Sequence, residues 1–153
     1  MNNLKIIELL NEHAILMPLN AASREECIHA MIDALEQSGA VADKSAYLEA
    51  VMNREKMSST GIGFKVAIPH GKSSGVKEPA LAFAKLANPL DWSSIDGQPV
   101  SIVFMIAVPE EAKGNEHLQI LVALSRKLMD DDFRSQLLSV SDRGQLLKLL
   151  ETI

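Results

Sequence analysis

The sequence predicts a three-layer α/β/α sandwich around a small mixed β-sheet, and three observations lead there. The hydrophobic period switches repeatedly between the helical and the strand repeat. One run, Val100 to Val108, is apolar at both parities, as a central strand covered on each face must be. Strand patterns are mixed with helical ones, and the chain finishes in a helical run.

Asn3 to Leu10 carries a short helical pattern, and Ala14 to Met17 reads as a short strand ending at Pro18. Ser23 is placed to cap a helix, with Glu26 completing a capping box ahead of Ile28, Met31, Ile32 and Leu35 on one face. Gly39 closes that helix, where a left-handed residue costs least. Asp43 caps a second helix running through Tyr47, Leu48, Val51 and Met52 into Arg54 and Glu55. Met57 to Gly75 is rich in Gly and Ser around Val66 to Ile68, which predicts a loop, a brief strand and a second loop. Ala80 to Leu86 and Val100 to Val108 read as strands joined by the polar connector NPLDWSSIDGQP. Asn115 caps a long helix over Glu116 to Met129, and Asp130 to Leu138 and Arg143 to Leu150 finish the chain as shorter helices. No repeat, low-complexity tract or linker divides it, so residues 1–153 are expected to form one domain.

Composition narrows the function. With 153 residues, 47% hydrophobic, and a formal net charge of −5, the chain can bury a sizeable core and is not disordered. An acidic balance without a basic stripe argues against a nucleic-acid partner. No segment approaches the roughly 18 apolar residues of a spanning helix, and the N-terminus lacks the basic head of a signal peptide. Cys27 is the one cysteine, so no intramolecular disulfide forms, which fits a reducing compartment. The expectation is a soluble cytoplasmic domain with no membrane insertion.

The chemistry concentrates in Arg54 to Lys72, REKMSSTGIGFKVAIPHGK. Thr60-Gly61-Ile62-Gly63 can bring backbone N–H groups close to an anion. Ile68-Pro69-His70-Gly71 sets a histidine just past a strand, with a restrained backbone before it and space beside it. Gly114-Asn115-Glu116-His117-Leu118 places His117 in the first turn of a helix, where the orphan N–H groups favour an anion. Spacing alone does not bring His70 and His117 together.

These motifs, in this order, resemble those of enzyme IIA domains of the phosphoenolpyruvate-dependent sugar phosphotransferase system, fructose/mannitol type, over essentially the whole chain. The resemblance implies that fold, and it implies that His70 accepts a phosphoryl group from phospho-HPr as a tele-phosphohistidine and passes it to a IIB domain. The membrane IIC component is then reached only indirectly. It further implies that His117 supports the phosphoryl group and that Arg54 contributes positive charge. An imidazole nitrogen suits the task, being both a good nucleophile and a good leaving group. Transfer then depends on in-line positioning and on spreading charge over the equatorial oxygens, for which the Thr60 to Gly63 backbone is a further candidate. The motifs hold no carboxylate cluster suited to Mg²⁺, so neither metal nor cofactor is expected. Pro79 to Leu86 and Val108-Pro109-Glu110 resemble the fructose type more than the mannitol type, which makes fructose the expected sugar. The alternative is the nitrogen-regulatory branch, in which the same histidine reports its state to partner proteins and no sugar moves.

Many relatives carry a glycine where Lys65 stands. A positive φ there would strain the lysine; otherwise its ammonium would be available to the phosphoryl group or an acidic partner. The remaining candidates have plainer readings. His13 and His29 lie outside any motif and read as surface or helix-face residues, and Cys27 as a buried small hydrophobe. Met17, Met31, Met52, Met105 and Met129 read as core filler, and Asp130 to Asp132 as a helix start. Zinc held by His70 and His117 lacks a third ligand. Trp92 either anchors a loop or contacts a partner.

Overall fold

The computed structural model describes residues 6–111 and 116–153, with the side chains of 116–118 outside the description. In chain order the elements are α1 (Ile6–Leu9), β1 (Leu10–Leu19), α2 (Arg24–Gln37), α3 (Lys44–Met57), β2 (Gly61–Gly63), β3 (Val66–Ala67), β4 (His70–Ser73), β5 (Ala80–Leu90), β6 (Val100–Pro109), α4 (Glu116–Leu128), α5 (Asp131–Ser139) and α6 (Arg143–Leu150). The sheet runs β1-β5-β6-β3-β2, and β4 also pairs with β6. β1 is parallel to β5, and β3 and β4 are parallel to β6, whereas β5–β6 and β2–β3 are antiparallel. The mixed sheet and its covering helices are the architecture expected from the sequence.

Alternation along β5 and β6 builds two cores. Leu81, Phe83, Ile102, Phe104 and Ile106 face one side, where they pack with Ile120, Leu124, Phe133, Leu137 and Leu146 from α4, α5 and α6. Ala82, Ala84, Val103 and Met105 face the other, where they meet Ile28, Met31, Leu35, Tyr47 and Val51 from α2 and α3. Phe83 and Phe104 meet edge to face, ring centroids 5.1 Å apart. Residues 102–108 of β6 are buried at both parities, which makes β6 the central strand.

The caps read from sequence hold. Ser23 Oγ accepts from Glu26 N–H at 3.1 Å, Asp43 Oδ1 from Ala46 N–H at 3.2 Å, and Asp130 Oδ1 from the N–H groups of Asp132 and Phe133 at 2.9 and 3.2 Å. Gly39 ends α2 with φ +90°, and Ala40 N–H returns to Leu35 O. Asn115 and Asn3 to Lys5 lie outside the described residues.

Other expectations are corrected. Leu10 belongs to β1, because its partner Leu81 on β5 extends that strand well past Ala14 to Met17. The stretch read as loop, strand, loop contains three strands, since pairing across the sheet outweighs the low strand preference of Gly and Ser. β5 continues through Leu90 into the expected connector, where Leu90 pairs with Val100. Met129 is exposed just past the end of α4 and is not core filler. Trp92, open between two readings in the sequence, is fully buried, which decides for anchoring its connector.

Candidate functional site

His70 is set by the strand that leads into it. Ile68 and Pro69 are buried, and Ile106 N–H on β6 donates to Pro69 O at 3.0 Å. His70 then opens β4 in register with Ile106, whose own carbonyl accepts from the buried Tyr47 hydroxyl at 2.7 Å. Burial drives the Tyr47 pKa far above its ordinary value, so the phenol stays a donor. The imidazole is half-buried, and its Nδ1 lies 2.9 Å from Ile68 O. A carbonyl can only accept, so in the neutral ring the proton sits on Nδ1 and Nε2 is the nucleophilic nitrogen.

Helix α3 forms the opposite wall. Ala50, Asn53, Arg54 and Met57 fall at i, i+3, i+4 and i+7, one helical face, and together with His70, Gly71 and Lys72 they line an open cleft of about 430 Å³. Gly71 permits the approach: a Cβ there would sit 3.2 Å from Ala50 Cβ, Val51 Cγ2 and Val51 N. Arg54 Nη1 donates to Ser58 O at 2.8 Å, which closes the last turn of α3 and keeps the guanidinium at the cleft. Among the described residues the lining carries two cations, Arg54 and Lys72, and no carboxylate, although the whole chain has a net charge of −5. The cleft is therefore suited to an anionic group beside a nucleophilic nitrogen.

Of the residues singled out from sequence, the structure brings His70 and Arg54 together in this cleft. His117 lies in the first turn of α4, and its side chain is outside the described residues, as are Gly114 and Asn115. Thr60 to Gly63 do not line the cleft. Two of the donors expected there are engaged within the protein: Thr60 N–H on Glu55 Oε1 at 3.2 Å and Gly61 N–H on Ser59 Oγ at 3.0 Å. Lys65 has φ +67° in the turn between β2 and β3, so the strained alternative is the one realised. His13 and His29 are exposed on β1 and α2. Cys27 is buried, with its thiol pushed up to about 12 by desolvation, which leaves it unreactive.

Sequence reasoning passed over Asn53, Met57 and Lys72. The helical spacing from Ala50 to Met57 and the two-residue step from His70 to Lys72 were the available signals. It also gave no role to Glu55, one of three buried polar residues among the described ones together with Thr60 and Ser73.

The chain is similar to known proteins along nearly its whole length. Residues 8–153 match the family model described as Phosphoenolpyruvate-dependent sugar phosphotransferase system, EIIA 2. The PTS system fructose-specific EIIABC component of Bacillus subtilis (strain 168) is 42% identical over 147 residues, 96% of this chain, and this chain spans 23% of its length. The PTS system fructose-specific EIIA component of Haloferax volcanii is 39% identical over 132 residues, covering 86% of this chain and 85% of that one. Among solved structures, Nitrogen Regulatory Protein IIA-Ntr from Neisseria meningitidis superposes with a TM-score of 0.85 at 33% identity, over 95% of this chain and 98% of that one.

Proposed function

This chain belongs to the phosphoenolpyruvate-dependent sugar phosphotransferase system EIIA 2 family, whose domains are phosphotransferases with a phosphohistidine intermediate, and on that premise we propose that His70 is the phosphoryl carrier. The observation that carries the reading is the 2.9 Å contact from His70 Nδ1 to Ile68 O, which reserves Nε2 for the reaction. Nε2 attacks the phosphorus of phosphohistidine on HPr; the new N–P bond forms as the old one breaks, and the electron pair leaves on the donor imidazole. The second transfer repeats this with a side chain of a IIB domain as nucleophile. Arg54, held at the cleft by Ser58, faces the charge on the equatorial oxygens. His117 is the second group we assign to the phosphoryl oxygens. Of the loop at Thr60, Gly61, Ile62 and Gly63, we assign to Thr60 and Gly61 a positioning part, since their N–H groups are engaged.

The reading makes residues 1–153 one cytoplasmic domain serving uptake of a sugar, with fructose favoured by the names of the Bacillus and Haloferax relatives. Among the described residues no helix is long and apolar enough to cross a membrane. A second reading, a regulatory phosphoprotein that moves no sugar, is favoured by the likeness to IIA-Ntr along nearly the full length of both chains.

Incubation with phosphoenolpyruvate, enzyme I and HPr is expected to label the chain on a single acid-labile histidine. Labelling that persists in His70→Ala overturns the assignment. Onward transfer to a fructose-type IIB domain supports the transport reading, and failure across a panel of purified IIB domains supports the regulatory one.

A further inference from the structure

Glu55 follows Arg54 in α3, yet it turns away from the cleft: its side chain is only 1% exposed. Burying an ionised carboxylate is costly unless its oxygens are well bonded, and here both are. Oε1 accepts Thr60 N–H at 3.2 Å and lies 4.0 Å from Arg24 Nη1, and Oε2 accepts the Thr60 hydroxyl. The direction of that last bond is forced. The indole of the fully buried Trp92 can only donate, and its Nε1 reaches Thr60 Oγ1 at 3.2 Å, so the hydroxyl spends its lone pair on Trp92 and its proton on Glu55.

From Thr60 the bonding continues to the histidine. Thr60 O accepts Ile68 N–H at 3.0 Å, extending the β2–β3 ladder by one rung. On the far side of that residue, Ile68 O accepts from His70 Nδ1 at 2.9 Å. A run of hydrogen bonds thus joins the Glu55 carboxylate to the imidazole through the backbone of Thr60 and Ile68, each bond holding in place the residue that makes the next. The Tyr47–Ile106–Pro69 bonds hold the same strand from the β6 side but do not touch the ring.

We propose that Glu55 is a positioning residue for His70. Its carboxylate fixes residue Thr60, whose carbonyl fixes residue Ile68 through its N–H, and the Ile68 carbonyl keeps the ring proton on Nδ1 and Nε2 unprotonated. The proposal rests on the reading of His70 as phosphoryl acceptor for its catalytic meaning, while its structural content, the ring tautomer, is measurable without any phosphoryl donor. Glutamine at this position keeps the volume, loses the charge and retains one acceptor oxygen for two donors.

The test is the ¹⁵N spectrum of the His70 ring in the histidine-labelled, unphosphorylated 153-residue chain, read beside the rate of phosphorylation by phospho-HPr. The wild type is expected to show Nδ1 protonated and Nε2 not. In Glu55→Gln the two shifts should move toward each other as the other tautomer is populated, and phosphorylation should slow by roughly ten- to a hundredfold, as when the partner that orients a metal-ligating histidine is lost. A folded Glu55→Gln protein with unchanged ring shifts and unchanged rate overturns the proposal. If that variant does not fold, Thr60→Ser and Thr60→Val decide. Wild-type ring shifts in the serine variant with displaced shifts in the valine variant support the relay, and the same ring shifts in both overturn it. Displaced shifts in a protein whose label is not on His70 would leave the relay standing and remove the function read from the site.

Discussion

The β2–β3 hairpin and strand β4 are near neighbours in the chain, both contain glycine, and they use it in opposite ways. In the hairpin turn, Gly63, Phe64 and Lys65 have φ of +92°, +58° and +67°, a left-handed run that only the first accepts without strain. Clamps from outside hold it. Asp96 Oδ2 accepts Phe64 N–H at 3.0 Å, the Arg134 guanidinium stacks 3.9 Å above the Phe64 ring, and Lys65 O accepts the N–H groups of Ser101 and Ile102 at 2.8 and 3.1 Å. In β4, Gly71 serves packing instead, admitting α3 against the strand that carries His70. Strain is thus kept out of the segment that presents His70 and confined to a turn beside it. The histidine we propose as phosphoryl carrier would be better served by ladder pairing with a buried strand than by a turn needing several clamps.

The sharpest way to break that contrast is to fill the space in β4. A methyl at Gly71 meets Val51 N, a backbone atom of α3 that cannot rotate aside, so Gly71→Ala must displace the helix by a few tenths of an ångström. Overpacking of this kind costs about 1–3 kcal/mol. The displaced face carries Arg54, so phosphorylation by phospho-HPr should slow as well. Chemical denaturation and the transfer rate, measured on the same variant, check both; a stable variant with an unchanged rate would show that α3 and β4 are not closely packed.

The uneven legibility of the sequence follows the same line. Helices α2, α3 and α5 announce themselves because cap and apolar face lie within one local segment, as Ser23, Asp43 and Asp130 show. Strands β2 and β4 do not, because Gly61–Gly63 and His70–Ser73 owe their extended form to β3 and β6. The site divides similarly. His70 stood out by its Pro and Gly neighbours, and Arg54 by the motif it opens. The Glu55–Thr60–Trp92 connections did not, since Trp92 reaches Thr60 across 32 positions and nothing local marks either as bonded. Whether Trp92 anchors or docks was undecidable for that reason, and its complete burial decides for anchoring.

A milder test relaxes the hairpin and leaves β4 alone. Lys65 is exposed, so Lys65→Gly removes the cost of a left-handed lysine, about 1–2 kcal/mol, without opening a cavity. Glycine gives back part of this gain by loosening the unfolded chain, by about 0.5–1 kcal/mol. The net expectation is a stabilisation of about 0.5 kcal/mol, a rise of about 1–2 °C in Tm for a chain of this size, with the phosphorylation rate unchanged. A fall in Tm would mean that the turn is not under strain, and the contrast with β4 would lose its basis.

The smallest effect is expected at the clamp itself. The N–H groups of Gln98 and Phe64 hold the Asp96 carboxyl below its ordinary value of 3.8 by hydrogen bonding its charged form. A carboxyl whose folded pKa is depressed adds stability that is fully present above the unfolded value and disappears as pH falls through the folded one. Asp96→Asn replaces two accepting oxygens, which serve Phe64 and Gln98, with one oxygen and one donor. The variant should therefore be less stable than the parent at neutral pH, and the gap should narrow steadily below pH 3.8 as the parent's own carboxyl is protonated. Thermal melts of the pair between pH 7 and pH 3 measure this. A gap that stays constant across the range would assign the clamp to shape alone, and the Phe64 turn would then be held by the Arg134 stack and the Lys65 carbonyl rather than by charge.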